Sequence, residues 1–419
     1  MNADYELIKN IERSIPCFDD YIAGEGCEGI EYPLDNEVRR ILFEQIASSE
    51  DADNFEIYKR IEEVKGLWAT LIKKSIITLR YFDKREPFYG NKEKYPIAYG
   101  VEELNSYFHK YVDFESALYG GTQYYRDHVV HVFRVWLLGI RLLLNKENKL
   151  LKQISIDDKC NTNAFEKLSV WTLIALTHDL GYPLEKAQEI IGKTRDMMKS
   201  FVANPIISMD LSFSGIQNSM NDFVLRFMSS KMVPKQMPDN EEFKYVARLQ
   251  PKYLFKFQKS LERNKHGILS ALVIYKLLRY FLESDYCTNE DYYFKEEDAR
   301  QFYIRREILR AISAHTCHDI YHMNYKNFSF LLILCDDAQE WGRKYITELY
   351  VNSPLKYTFN GIHVSLKNEE HAGKNIDIAS ISIDETYCKV NNEDSIKYIF
   401  KRFISISRDY NEIFRDGQE

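Results

Sequence analysis

The sequence lacks the features that mark several large classes of protein. Its seven cysteines are odd in number and scattered, and no C-x-x-C pair occurs among them, which argues against a disulfide framework or a zinc ribbon. No apolar run reaches the length needed to cross a bilayer, because VWLLGIRLLL is interrupted by Arg141 and SFLLILC ends at Asp336. The opening residues MNADYELIKNIERSIP lack the basic-then-apolar layout of a secretory signal. We therefore expect a soluble, cytoplasmic protein with no membrane partner.

The sequence also lacks an excess of positive charge. Its 56 Lys and Arg residues stand against 63 Asp and Glu residues, which gives a net charge of -7 and a pI near 5.9. This balance argues against broad binding to nucleic acids or to anionic membranes, although a local basic patch can escape such an average. Any anionic substrate therefore needs a local cationic site, such as metal ions.

The sequence has the apolar periodicity of helices, and it has enough hydrophobic residues to form a large core. Hydrophobic residues make up 45% of the 419 positions and charged residues 28%, as in folded globular chains. Apolar residues recur mostly at helical spacing, as in VFRVWLLGIRLLL, ILSALVIYKLLRYFL and REILRAISAHT, and Gly and Pro are rare within these runs. We predict a mainly α protein.

The pattern changes along the chain and suggests three parts. The first is a mainly helical N-terminal extension over 1–99, and the second is a helical core over 100–345 with an irregular, partly helical insertion at about 193–264. The third, over 346–419, combines a small β-hairpin or sheet around 355–388 with a terminal helix. The Asn-Gly turn in YTFNGIHVSLKN and the alternation in IDIASISIDETY indicate those strands.

Ionisable side chains recur on five of the apolar helices. The candidates are His128 and His131, the pair His178-Asp179 in WTLIALTHDLGYP, His266, His315 and His318, and Asp336 with Asp337. A single histidine on an apolar helix is usually a core residue with its hydrogen bonds satisfied. Burying all these groups without a counter-charge would be costly, and a divalent metal would offset that cost. Imidazole and carboxylate ligands suit Mn, Fe, Co, Ni or Zn, and Mg less well. The set indicates a site for one or two metal ions.

The order of these residues resembles that of a known family, the HD-domain superfamily of metal-dependent phosphohydrolases. The resemblance covers residues 124–343 and rests on His131 in HVFRV, His178-Asp179 in ALTHDLGYP and the later Asp336. It implies an HD helical bundle in which the ligands of a first metal are His131, His178, Asp179 and Asp336. His266 and His315 match the two further histidines of binuclear members, in which the HD aspartate, here Asp179, bridges both metals.

Two ligand positions have close competitors. His318 begins a second His-Asp dipeptide, but it follows a helix end in a polar setting, so we prefer His315. Asp337 points about 100° away from Asp336 on a helix, so only one of them can face a given metal. The family pattern favours Asp336.

The resemblance also implies an activity, the hydrolysis of a nucleotide phosphoester by a metal-activated water. His128 could replace His131 as the ligand, but HVFRV fits the family's His-x-x-[RK]-V pattern better, so we prefer His131. Asp179 and His128 are then candidate catalytic residues, and His128 also fits a substrate-contacting group. Lys186, Arg126 and Arg343 are candidate phosphate contacts, and Lys186 is also a candidate catalytic residue; each also fits a solvated surface charge.

Two other functions fit the same ligands. Some HD-fold proteins hold a di-iron pair and oxidise a substrate with O₂, and the ligand count is compatible with that chemistry. Alternatively, the terminal parts and the insertion could make this a nucleotide-binding or assembly module without turnover. A homo-oligomer is compatible with each of the three functions.

Overall fold

Helices make up most of the structure. The computed structural model describes residues 3–25, 29–47, 56–85, 100–121, 127–145, 150–157, 160–200, 216–237, 243–320, 326–339, 362–371 and 374–383. The α-helices within these ranges are α1 (Ala3–Ile22), α2 (Asn36–Arg40), α3 (Ile61–Tyr81), α4 (Val101–Gly121), α5 (Val129–Leu144), α6 (Leu150–Gln153), α7 (Ala164–Thr177), α8 (Tyr182–Met198), α9 (Ile216–Met228), α10 (Pro251–Glu262), α11 (His266–Leu277), α12 (Glu296–Ala314) and α13 (Phe328–Ala338). The predicted mainly α class is confirmed.

Helix α7 lies at the centre of the core. It packs against α3, α5, α12 and α13, and every one of its residues is buried. Its sequence AFEKLSVWTLIALT is apolar on all sides, as expected for a helix surrounded by others. Its first turn is closed by a capping box in which Asn163 and Glu166 bond reciprocally. None of the helices in the described ranges is both long and apolar enough to cross a membrane.

Helices α5 and α7 approach closely because one of them offers a glycine. A Cβ atom on Gly139 would lie 2.0 Å from the ring of Trp171, so any larger residue would force the helices apart. The Trp171 indole donates to the carbonyl of Trp136 at 3.1 Å, and the Trp136 indole donates to Thr172 Oγ1 at 3.0 Å. This contact fixes the two helices that carry the first candidate ligands.

The described N-terminal helices share this core. Helix α1 packs against α5, where the guanidinium of Arg134 donates to both carboxylate oxygens of Asp4, at 2.8 and 2.6 Å. Both residues are buried. Helix α3 packs against α7, and the Trp68 indole donates to the carbonyl of Leu176 at 3.0 Å. The helices of the predicted N-terminal extension therefore support the helices that carry the candidate ligands.

Two antiparallel hairpins complete the described elements. Strands β1 (Ser230–Gln236) and β2 (Phe243–Leu249) form the first, inside the insertion for which only irregular and helical structure was predicted. Strands β3 (Ile362–His371) and β4 (Lys374–Ile383) form the second, inside the range where a C-terminal hairpin was predicted. The predicted Asn360-Gly361 turn and the predicted terminal helix lie outside the described residues.

Candidate metal centre

The His178-Asp179 pair lies in the short link between α7 and α8. The residues Gly181, Tyr182 and Pro183, which follow the pair, lie where one helix has ended and the next begins. Helix α7 ends at Thr177, and α8 begins at Tyr182 with Pro183 in its first turn. Proline fits there because a first-turn N–H has no partner within the helix. The pair therefore occupies a junction between two helices.

The link is held tightly against the start of α11. A Cβ atom on Gly181 would lie 2.4 Å from the His266 carbonyl oxygen and 2.6 Å from the Ser270 nitrogen. The Gly181 N–H donates to Ser270 Oγ at 2.7 Å, and that hydroxyl lies 2.6 Å from the His178 carbonyl oxygen. This close approach brings His266 next to Asp179.

Asp179 lies between two pairs of histidines. Its Oδ2 atom is 3.4 Å from His178 Nε2 and 3.8 Å from His131 Nε2. Its Oδ1 atom is 3.3 Å from His266 Nε2 and 3.6 Å from His315 Nε2. The two oxygens of one carboxylate therefore face separate pairs of imidazoles.

Asp336, on α13, lies beside the first of these pairs. Its Oδ1 atom is 2.9 Å from His131 Nε2 and 3.8 Å from His178 Nε2. Two groups have ligand atoms that all lie within 4.8 Å of one another: His131, His178 and Asp336 form one, and His178, Asp179 and His315 form the other. These buried side chains could hold a metal ion.

All four histidines are oriented by a hydrogen bond at Nδ1. The acceptors are Gln339 Oε1 for His131 at 2.5 Å, the Ala175 carbonyl for His178 at 2.8 Å, Glu185 Oε2 for His266 at 2.8 Å and the Ile312 carbonyl for His315 at 2.5 Å. A proton at Nδ1 leaves the Nε2 lone pair facing the carboxylates, as in histidine ligands of metals. His178 Nε2 is buried and makes no hydrogen bond within the described ranges. The donor set therefore fits a cation.

When no cation is bound, protons on the imidazoles must balance the negative charges of the Asp179 and Asp336 carboxylates. Burial alone would lower the pKa of His178, but the charges of Asp179 and Asp336 outweigh it and raise that pKa to about 9. Burial alone would raise the pKa of Asp179, but the imidazoles around it, His178 foremost, hold it well below its ordinary range. The pKa of His315 is lowered, mainly by burial. The metal-free centre thus carries a proton on His178 at neutral pH.

Metal uptake should therefore strengthen as the pH rises. In metal-free protein His178 is protonated below pH about 9, and a metal ion must displace that proton to reach Nε2. We expect the apparent affinity for Zn²⁺ or Mn²⁺ to rise about tenfold per pH unit between about 7 and 9, and to flatten above that. Calorimetric titrations of chelator-treated protein in buffers of different ionisation enthalpy measure both the affinity and the released proton. A pH-independent affinity would contradict a protonated His178.

His128 lies beside the cluster. Helix α5 begins at Val129, so His128 lies just before it, in the N-cap position. Its ring stacks on Tyr182 with centroids 3.8 Å apart, and its Nδ1 atom is 3.7 Å from Glu115 Oε1. The ring centroids of His128 and His131 are 6.1 Å apart.

The remaining predicted residues belong to neither group of ligand atoms, or they lie outside the described residues. Lys186 Nζ is 2.9 Å from Glu189 Oε2 and 5.5 Å from the ring centroid of Tyr182. His318 is exposed beyond the end of α12. Asp337 is half-buried on α13. Arg126 and Arg343 lie outside the described residues.

Sequence reasoning missed the residues that support the ligands. Asp127 accepts from the backbone nitrogens of Val130 and His131 at 3.3 and 3.2 Å, and so caps α5. Its place just before the apolar run is a helix-start pattern that could have been found. Glu185 and Gln339 carry no comparable signal, because they contact histidines 81 and 208 residues away in the chain.

Glu185 offers a test of this support. Its Oε2 atom accepts from both the backbone nitrogen of His266, at 2.7 Å, and the ring Nδ1. Burial would raise the pKa of Glu185, but the bonds from His266 lower it to about 2. We expect Glu185→Ala to weaken metal binding about 10- to 100-fold, the usual effect of losing such a partner. Glu189→Ala is the matched control, because Glu189 lies on the same helix and pairs with the surface cations Lys186 and Lys193. Metal affinity is measured by competition with a chelating dye. Equal metal affinities in the two variants would contradict the inference that Glu185 supports metal binding through His266.

Comparison of the chain with family models, with curated proteins and with solved structures finds no match. The interpretation of the centre therefore rests on its own residues and distances.

Proposed function

We propose that this protein hydrolyses a phosphoester, on a nucleotide, with the help of divalent metal ions held at the His/Asp centre. The observation that carries the proposal is the position of Asp179, whose two carboxylate oxygens face separate pairs of imidazole nitrogens. A carboxylate in that position suits a bridge between two cations.

The ligands divide into two sets that share Asp179. One set consists of His131, His178, Asp179 and Asp336, and the other consists of Asp179, His266 and His315. This division is the one that the resemblance to HD-domain phosphohydrolases implies. Imidazole and carboxylate donors together suit Mn, Fe, Co, Ni or Zn. Such ions, when bound, lower the pKa of a water molecule and neutralise charge that develops on phosphoryl oxygens.

The chain's own residues would position the substrate. Lys186 is partly exposed, and its Nζ atom is held by Glu189 over the ring of Tyr182. Tyr182 contacts both His128 and His266, with ring centroids 3.8 and 5.2 Å away. A phosphate could therefore replace Glu189 as the partner of Lys186 while remaining next to the centre. His128, beside Tyr182, is the candidate to donate a proton to a leaving oxygen or to bind the phosphate.

The test combines elemental analysis with a substrate screen. The purified protein should contain close to two transition-metal equivalents per chain, and His178→Ala, purified identically, should lose them. The metal-loaded protein should then release phosphate or a nucleoside monophosphate from at least one of a panel of nucleoside triphosphates, cyclic nucleotides and dinucleotides. Iron with a mixed-valence signal and no hydrolysis would favour the oxygenase. Full metal occupancy without any turnover would favour a binding module.

A further inference from the structure

The hairpin of β1 and β2 places cations directly opposite one another. Lys231 is opposite Arg248, and Lys235 is opposite Lys244. Residues opposite each other in an antiparallel pair project from the same face, as do residues two or four apart in one strand. These four side chains therefore share one face, called here the cationic face.

Few carboxylates lie near these cations in the part of the chain that the structure describes. Among the residues that the structure describes, no carboxylate oxygen lies within 4.0 Å of Lys231, Lys235 or Lys244. The Arg248 Nε atom has Glu290 at 3.9 Å, but both side chains are more than half exposed, so that pair is weak. Lys235 Nζ donates to the hydroxyl of Tyr293 at 3.2 Å. Like charges directly opposite each other destabilise a hairpin. Among the described residues only the weak Glu290 pair and the Tyr293 contact offset the repulsion here.

The segment that contains the hairpin is basic, unlike the chain as a whole. Between residues 230 and 265 the sequence carries nine Lys or Arg residues against four Asp or Glu residues, whereas the whole chain has a net charge of -7. The overall charge argues only against broad binding of polyanions. It does not bear on a local surface of this kind.

We propose that the cationic face binds the phosphate backbone of a nucleic acid. Opposite residues have their Cβ atoms about 5 Å apart, so each pair can bracket one phosphate. The two pairs are separated by four residues of strand, about 13 Å, which matches the rise of about four nucleotides. Binding of phosphates would relieve the repulsion within each pair and release counterions.

The same face is poorly suited to a membrane. Between the two cation pairs the register places Val233 opposite Val246, and Val246 is only 2% exposed. Membrane-surface elements instead present large apolar side chains, such as Trp, Phe or Leu, next to their cations. The geometry therefore favours a polyanion in solution over a lipid headgroup surface.

The test is fluorescence anisotropy of labelled single-stranded and duplex oligonucleotides of about 20 nucleotides with the full chain. The variant carries Lys231→Gln, Lys235→Gln, Lys244→Gln and Arg248→Gln together. We expect its affinity to fall at least about tenfold at about 100 mM salt, and the slope of log affinity against log salt to fall by about 3. Its melting temperature should stay unchanged or rise, because like-charge repulsion has been removed. A single-strand or a duplex preference would identify the form bound.

The matched control removes four cations elsewhere, with Lys9→Gln, Lys59→Gln, Lys193→Gln and Lys199→Gln, all of which lie in surface ion pairs. This control has the same net charge as the variant and should bind as the wild type does. No binding by wild type at about 50 mM salt, or equal losses in both variants, would overturn the proposal. Binding of phosphatidylserine vesicles or poly-glutamate in place of the oligonucleotides would also overturn it. Asp179→Asn should still bind the oligonucleotides. The test of the cationic face is therefore independent of whether the His/Asp centre binds metal.

Discussion

Asp179→Asn is expected to abolish two-metal binding and with it turnover. Asparagine keeps the size of aspartate but offers one acceptor oxygen and an NH₂ group that only donates. One of the two imidazole pairs would then face a donor in place of a carboxylate oxygen. The loss of metal affinity should exceed the 10- to 100-fold that removal of an outer partner such as Glu185 causes. Elemental analysis should show the metal content fall from close to two equivalents to below one.

The control for this variant is Asp337→Asn, because Asp337 is adjacent to Asp336 on α13 and belongs to neither group of ligand atoms. It should keep both metals and full activity. Circular dichroism and melting curves of the chelator-treated proteins show whether Asp179→Asn folds. An Asp179→Asn protein that retains two metals and hydrolysis would refute the shared-ligand interpretation.

The helical class was predictable because it depends on local pattern. The run WTLIALT before His178 is apolar on every side, and the structure surrounds it with four helices. His266 lies just before the apolar run ILSALVIYKLLRYFL and His315 lies at the end of REILRAISAHT, and in the structure they lie at the start of α11 and at the end of α12. Such features depend on residues within a few turns of one another.

The rest of the centre depends on contacts between distant segments, which periodicity does not reveal. Gln339 orients His131 across 208 residues, and Glu185 orients His266 across 81. The β1–β2 hairpin was missed for a different reason. Its strands lack a clean alternation, since Met232 is followed directly by Val233 and Val246 by Ala247, and Pro234 lies within β1, which counts against a strand in a sequence reading.

The Asp4–Arg134 pair was also unpredictable from sequence, and it yields the largest expected change in stability. Arg134 lies one turn after His131 on α5, and its guanidinium is fully buried against Asp4 at the start of α1. Asp4→Ala removes the bidentate partner of a buried charge, which typically costs about 3–5 kcal/mol. We expect the free energy of unfolding, measured by urea denaturation, to fall by that amount.

The matched control is Asp19→Ala, also on α1. Asp19 accepts from both Nη atoms of Arg39 at 2.8 and 2.5 Å, but its side chain is 43% exposed, so the loss should be no more than about 1 kcal/mol.

The double variant Asp4→Leu with Arg134→Met should recover most of the stability, because apolar residues can replace a buried ion pair at little cost. If metal affinity also falls in Asp4→Ala and returns in the double variant, α1 stabilises the position of His131. A loss in Asp4→Ala of no more than about 1 kcal/mol, as small as that in Asp19→Ala, would instead mean that the Asp4–Arg134 pair contributes little to the core around the metal centre.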